Sequence, residues 1–338
     1  MIEKARIKRH ILAIMNSPGF RQLSTICIPH RAAILRYHSI QDYPGEFANS
    51  IGSGIIHSTS IFEKQMEMVA RYCSPVSMND VLRIARGEMT PPPRAVAVTF
   101  DDGFADNFEF AMPLLNRVGV PAAFYTTVGF IDTGRPPWFC RLRYAFASTQ
   151  RKTWFDSTDN SLHHLVDPQQ RKEAFLIASR RCARKAGEAQ ESILRTIEQE
   201  LEIDPMPSDT KLMMSWDQVR ALRNFGHLVG SHTMTHPNLA CVTQEEALRE
   251  CAESKTRLEQ ELNTPIVHFS YPSPIMQPHW DQHTVAITAK TGYQCAVTSS
   301  SGTVRAGNEP LSLERVTVPQ DLQQFEWVIE SVFLGRRM

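Results

Sequence analysis

Along the chain, short apolar runs alternate with segments of helical periodicity. Residues 32–37, 95–100, 122–127, 228–230, 266–271, 293–298 and 316–318 read as strands, most of them apolar on both faces as in a buried parallel sheet. Between them lie amphipathic helices. Phe62, Met66, Val69 and Cys73 share a face behind a Ser60–Glu63 capping box, and Asn79 opens a shorter helix that Gly87 can close in the left-handed conformation. Phe108, Met112, Leu115 and Val118 fall in register over residues 106–117, where Pro113 predicts a kink or a late start. Capping boxes at Ser215–Gln218 and Thr243–Glu246 open two more helices, and residues 322–333 form the last. Strand-then-helix repetition predicts an α/β fold with a parallel sheet or barrel; periodicity alone does not distinguish a closed barrel from an open sheet.

The rhythm breaks over residues 132–214, with a Pro-Pro-Trp segment at 136–138, a polar patch at 149–160 and a charged helical run at 169–202. This stretch reads as a helical insertion carried on the main fold, either a solvated hairpin or a lid over the substrate. Residues 1–30 read as a basic helical segment, with Lys4, Arg6, Lys8 and Arg9 ahead of a five-residue apolar run at 11–15. That run is too short for a signal core, and no stretch of about 18 apolar residues could span a bilayer, so a cytoplasmic location is expected. Peripheral membrane contact through the basic N-terminus is the alternative.

Composition narrows the partners. Lys plus Arg equals Asp plus Glu, 36 against 36, so no global field attracts nucleic acid, and a neutral substrate is compatible. The seven cysteines are widely spaced without a C-x-x-C pair, which predicts free thiols rather than a disulfide or zinc-ribbon framework.

The chemistry concentrates at two strand ends. Thr99-Phe100-Asp101-Asp102-Gly103 closes an apolar strand, where adjacent carboxylates point in different directions: one can bind a metal while the other handles protons. Alone, such a sequence is also an ordinary turn. Gly230-Ser231-His232-Thr233-Met234-Thr235-His236 follows another short strand and spaces two imidazoles four residues apart. Two histidines and one carboxylate can hold a divalent cation and leave positions open for water and substrate.

These two segments resemble the first two motifs of the polysaccharide deacetylase family (carbohydrate esterase family 4), and Leu35-Arg36-Tyr37-His38 resembles the Y-H signature that opens one of its branches. Phe269-Ser270-Tyr271-Pro272 is similar to the third motif, and Gly292-Tyr293 to the segment after it. The resemblance implies a distorted, seven-stranded (β/α) barrel and a metal-dependent N-deacetylase acting on an N-acetylhexosamine-containing saccharide or its precursor. It implies Asp101 as catalytic base, Asp102, His232 and His236 as ligands of one divalent ion, typically zinc, and the backbone N–H of Ser273 as oxyanion donor. Two departures stand out. Ser270 occupies the place of the family's third-motif Arg, which pairs with the base; Arg315 is the candidate replacement. The late histidine that usually supplies the acid is absent, which points to His38. A non-sugar amidase and a non-catalytic sugar-binding protein stay open as alternatives.

Overall fold

The computed structural model describes residues 30–42, 48–207, 211–273 and 275–334. Seven parallel strands form its centre: β1 (Ala32–Tyr37), β2 (Ala95–Phe100), β3 (Ala122–Thr126), β4 (Leu228–Ser231), β5 (His268–Ser270), β6 (Cys295–Ser301) and β7 (Leu313–Thr317). Each pairs with the next in chain order, and β7 returns to β1 through Leu35↔Val316, so the sheet closes into a barrel. A two-residue strand, Ser74–Pro75, adds to the start of β2.

Alternation along each strand separates two apolar layers. Leu35, Tyr37, Val98, Phe100, Phe124 and Val316 face outward and pack under the surrounding helices, with the Phe100 and Phe124 rings stacked at 4.8 Å. Ala32, Ile34, Ala95, Ala97, Ala123 and Val297 face inward. A barrel's diameter falls with strand number, so seven strands leave room for alanines where a wider barrel takes larger branched side chains. The helix Met78–Ala85 plugs the N-terminal end through Val81, Leu82 and Ile84. Gly230 is required where β4 passes Tyr125, because an added Cβ would stand 2.6 Å from that ring and 2.9 Å from the His268 carbonyl.

Several local expectations shift. The helix Thr59–Tyr72 is capped by Ser58, whose extended backbone lets its hydroxyl accept the Ile61 N–H; Ser60 lies inside the first turn. Ser77, not Asn79, caps the next helix, and the Asn79 amide instead meets His268 Nε2 at 2.7 Å. Residues 107–111 form a π-helical turn, and the α-helix begins late, at Met112–Val118, with the proline in its first turn where a missing N–H is harmless.

Between β3 and β4, the helices Trp138–Ser148, Pro168–Ala183 and Gly187–Glu200 enclose their own core around Trp138, Phe146, Trp154, Phe175 and Leu194. The buried Arg141 guanidinium pairs with Glu198 and Glu191 inside it. The polar patch adds a hairpin, Thr153–Asp156 with Ser161–His164, that helical periodicity does not reveal. The N-terminal segment for which a basic helix and membrane contact are expected lies, through residue 29, outside the described residues. Cys140, Cys182, Cys241, Cys251 and Cys295 are free thiols among the described residues.

Candidate active site

The C-terminal end of the barrel gathers the chemistry-bearing side chains. Asp101 and Asp102 leave β2 in succession. The Asp101 N–H donates to the Tyr37 carbonyl, and Asp102 adopts a left-handed φ of 73° that turns its carboxylate away from its neighbour's. Non-glycine residues hold that conformation only where their surroundings over-determine it. Here the Thr127 N–H fixes the Asp102 carbonyl at 3.1 Å.

The loop after β4 repeats the device. Thr233 and His236 have φ of 69° and 57°. The buried Glu250 carboxylate, from the helix Gln244–Leu262, accepts the N–H groups of Met234 and Thr235, both at 2.8 Å, and the Thr235 hydroxyl. Val128 and Gly129 donate their N–H groups to the carbonyls of Thr233 and Met234 from the other side. Gly129 is obligatory, since a Cβ there would stand 2.5 Å from the Met234 oxygen. Both imidazoles consequently reach Asp102, with His232 Nε2 at 3.5 Å and His236 Nε2 at 3.3 Å from its Oδ1.

These three residues are the group of potential metal ligands found among the described residues. Donors about 2.1 Å from a tetrahedral ion lie about 3.4 Å apart, so the separations suit a divalent cation such as zinc. His232 Nδ1 lies 2.7 Å from the Ser270 carbonyl, which fixes the tautomer that leaves Nε2 unprotonated for a ligand bond. The buried His236 Nδ1 has no hydrogen-bond partner among the described residues, although Trp138 and Phe139 of the insertion crowd its ring.

Asp101 has a different partner. Arg315, 1% exposed, comes across the barrel from β7 and grips it with two parallel bonds, Nη1 to Oδ1 at 2.8 Å and Nη2 to Oδ2 at 2.6 Å. The remaining donors reach the Thr298 carbonyl, the Thr99 hydroxyl and the Ser270 hydroxyl, so all five N–H groups are engaged. Ser270 also donates to Asp101 Oδ1 at 3.1 Å. An arginine at 270 would crowd this space; the serine leaves it to Arg315. Burial pushes the Asp101 pKa up, but Arg315, reinforced by His232 and His38, overrides it and holds the carboxyl well below the usual range.

His38, just past β1, brings Nε2 to 4.0 Å from Asp101 Oδ2. Burial lowers its pKa to about 4 against the opposing pull of Asp102 and Asp101. A buried Asp–Asn pair from the next segment holds the backbone around it: Asp106 accepts from the Ser39 hydroxyl and the Asn107 amide, and Asn107 donates to the His38 carbonyl. Burial raises the Asp106 pKa to about 7. Ser273, half-buried, lies three residues past the end of β5 on the same rim. His268 sits at the opposite end of the barrel strand from the cleft, and His283 is exposed.

The structure therefore brings Asp101, Asp102, His38, His232, His236 and Arg315 together. Reading the motifs alone misses Ser270 as the hub between Arg315, Asp101 and His232, and Glu250 as the anchor of the histidine loop. The signal for Ser270 is the smallness of a residue where the resemblance implies an arginine.

Comparison with known proteins places this geometry. A family model described as polysaccharide deacetylase matches residues 88–296, from just before β2 into β6, so His38 and Arg315 fall outside the matched span. The curated relative YxkH of Bacillus subtilis, assigned to the polysaccharide deacetylases, is 20% identical over 86% of this chain and 72% of its own. Among solved structures, the deacetylase PplD of Streptococcus pyogenes, in complex with acetate, superposes with a TM-score of 0.60 and 18% identity over 90% of this chain and 99% of that one. IcaB of Ammonifex degensii does so with a TM-score of 0.56 and 17% identity over 90% and 98%. At such identities the structural likeness is one of fold, whereas the family model covers more than half of the sequence and takes in both Asp101-Asp102 and the histidine loop. The chain belongs to the polysaccharide deacetylase family, hydrolases that act on amide bonds.

Proposed function

We propose that this chain is a metal-dependent deacetylase that hydrolyses the acetamide of an N-acetylhexosamine unit, releasing acetate and a free amine. The observation that carries the reading is the division of labour between two adjacent carboxylates: Asp102 faces two imidazoles at ligand spacing, while Asp101 is ionised by Arg315. Two neighbouring carboxylates with such different environments are the signature of separate metal-binding and proton-handling roles.

Asp102, His232 and His236 would hold one divalent ion, for which the donor set favours zinc. When bound, it supplies Lewis acidity that polarises the acetyl carbonyl and acidifies water. Asp101 takes the proton of the attacking water. Among the described residues its Oδ2 accepts a hydrogen bond from Arg315 Nη2 alone and faces His38, so it is the oxygen with room for that proton. The water oxygen adds to the acetyl carbon, and the Ser273 N–H receives the resulting oxyanion. His38 is neutral at rest, with its pKa near 4, and so must gain a proton before it can act as the acid. Its position 4.0 Å from Asp101 suits it to receive the water's proton and deliver it to the amine nitrogen as the C–N bond breaks.

The test is acetate release from an N-acetylglucosamine oligomer, with metal content measured in parallel. Wild type is expected to carry one divalent ion and to turn over. Asp101→Asn should keep the ion and lose activity, and His232→Ala should lose both. Turnover of small acylated amines but not of sugars would replace this reading with a non-sugar amidase. Sugar binding without acetate release would replace it with a binding protein.

A further inference from the structure

Arg36 is a second cation in the same cleft, and the reaction described above does not use it. Register sets it level with Thr99 on β2 and Thr317 on β7. Alternation sends Tyr37 outward against Phe62 and Gln65, so Arg36 points into the barrel mouth on the side that carries His38. Its guanidinium is half-buried, and the hydrogen bond it forms among the described residues is one 3.0 Å contact, from Nη2 to the Thr317 hydroxyl. It forms no ion pair among the described residues: Asp101 is taken by Arg315, and Asp102 faces the two histidines. Burial and the like charge of Arg315 pull its pKa down to about 10, against Asp101 and Asp102.

A half-buried cation without its own counter-ion carries a desolvation cost that an arriving anion would relieve. The buried His279 engages the Ser299 hydroxyl at 2.8 Å through Nδ1, and burial, then the charges of Arg36 and His236, lower its pKa. A planar fork with most of its donors uncommitted matches a carboxylate or a phosphate, which it can grip by two bonds.

We propose that Arg36 recognises an anionic group on the sugar presented to the cleft, so that the preferred substrate is an N-acetylhexosamine bearing a phosphate or a carboxylate. This deepens the deacetylase reading and rests on it for the position of the acetamide. Arg36 acts here as a specificity residue. A purely structural role, balancing the negative charge of Asp101 and Asp102, would leave substrate choice untouched.

The experiment compares acetate release from N-acetylglucosamine, N-acetylglucosamine 6-phosphate and N-acetylglucosaminuronate, in wild type, Arg36→Gln and Arg36→Lys. The deacetylated products, glucosamine, glucosamine 6-phosphate and glucosaminuronate, are titrated calorimetrically into the same proteins, a readout that needs no turnover. Wild type is expected to favour one acidic substrate at least tenfold in kcat/KM, and phosphate against carboxylate identifies which anion the site takes. Arg36→Gln should lose ten- to a hundredfold on that substrate, chiefly through KM, while changing less than threefold on the neutral sugar. Arg36→Lys should recover part of the loss. A neutral substrate preferred by wild type, or equal losses in Arg36→Gln on neutral and acidic substrates, would overturn the proposal. If no substrate yields acetate but glucosamine 6-phosphate or glucosaminuronate binds in an Arg36-dependent way, the anion site stands and the deacetylase reading falls. If neither acidic product binds more tightly than glucosamine, the anion site falls whatever the activity.

Discussion

Replacing Arg315 by methionine removes all five donors of a side chain that is 1% exposed, and leaves Asp101 buried with only the Ser270 hydroxyl on it. Breaking a buried ion pair from one side costs about 3–5 kcal/mol, because the surviving charge loses its counter-ion without regaining water. The sign with pH follows from Asp101. In wild type its folded pKa lies below the unfolded value, so its contribution is present above the ordinary carboxylate range and lost only in strong acid. In Arg315→Met, burial, the largest influence, is opposed only by the weaker pull of His232 and His38 and is expected to raise the folded pKa above the unfolded one. The carboxyl then destabilises the fold increasingly as pH rises through that raised value. The expected deficit is therefore largest at pH 7–8 and shrinks toward pH 4. Urea midpoints across that range, taken with chelator so that bound ion does not contribute, measure it. Asp101→Asn in the same background removes the stranded charge, and the double-mutant cycle should show coupling of about 3 kcal/mol. Additivity within about 0.5 kcal/mol, or a deficit independent of pH, would refute the account of the pair.

Three further outcomes follow from the same geometry. Glu250→Ala, which releases two N–H groups and a hydroxyl of the histidine loop, should weaken divalent-ion affinity by about 10–100-fold in a chelator competition while the barrel still folds. Asp106, with a folded pKa of about 7 against an ordinary 3.8, stabilises fully below 3.8 and loses that contribution as pH rises through 7. Asp106→Asn should accordingly gain on wild type by up to about 4 kcal/mol between pH 4 and pH 8 in paired urea titrations, and parallel profiles would contradict the raised pKa. Arg315→Lys should behave nearly like the methionine variant in kcat/KM, since three donors on a flexible stem cannot reproduce the fork on Asp101.

The parallel sheet was legible because its strands are apolar on both faces and its helices announce themselves with caps, as at Ser215 and Thr243, whereas its closure into a barrel came from the motif resemblance, since periodicity reads the same for an open sheet. The metal-ligand candidates were legible because Asp102, His232 and His236 sit in short motifs at strand ends. What the residues hid was long-range. β7 begins at Leu313, yet the run reads as a strand only from Val316, because the exposed Glu314 and the inward-pointing Arg315 interrupt it. A charge inside a barrel looks like a break until its partner across the barrel is seen. The same holds for Glu250, whose helical position gives no hint that it nests two amides of another loop. The polar hairpin at 153–164 escaped for a different reason: burial alternates along its strands, but the apolar Phe155 and Leu162 fall on the exposed positions and Asp156 on a buried one, so hydrophobicity does not trace the alternation.

The seam between β1 and β7 ties the readiness of the site to the emergence of the last barrel strand. Arg36 and Thr317, hydrogen-bonded across it, stand 281 positions apart in the chain. His38 emerges early, the paired aspartates soon after and the histidine loop two-thirds of the way along; Arg315 arrives last. A nascent chain that has produced every ligand still carries Asp101 without its guanidinium and has an open edge at β1. Such an intermediate can collapse around its apolar layers but cannot keep that carboxylate ionised in a dry interior. The charge that readies the site thus arrives with the strand that shuts the barrel, and a polypeptide truncated before residue 313 should be inert even where its candidate metal ligands have already met.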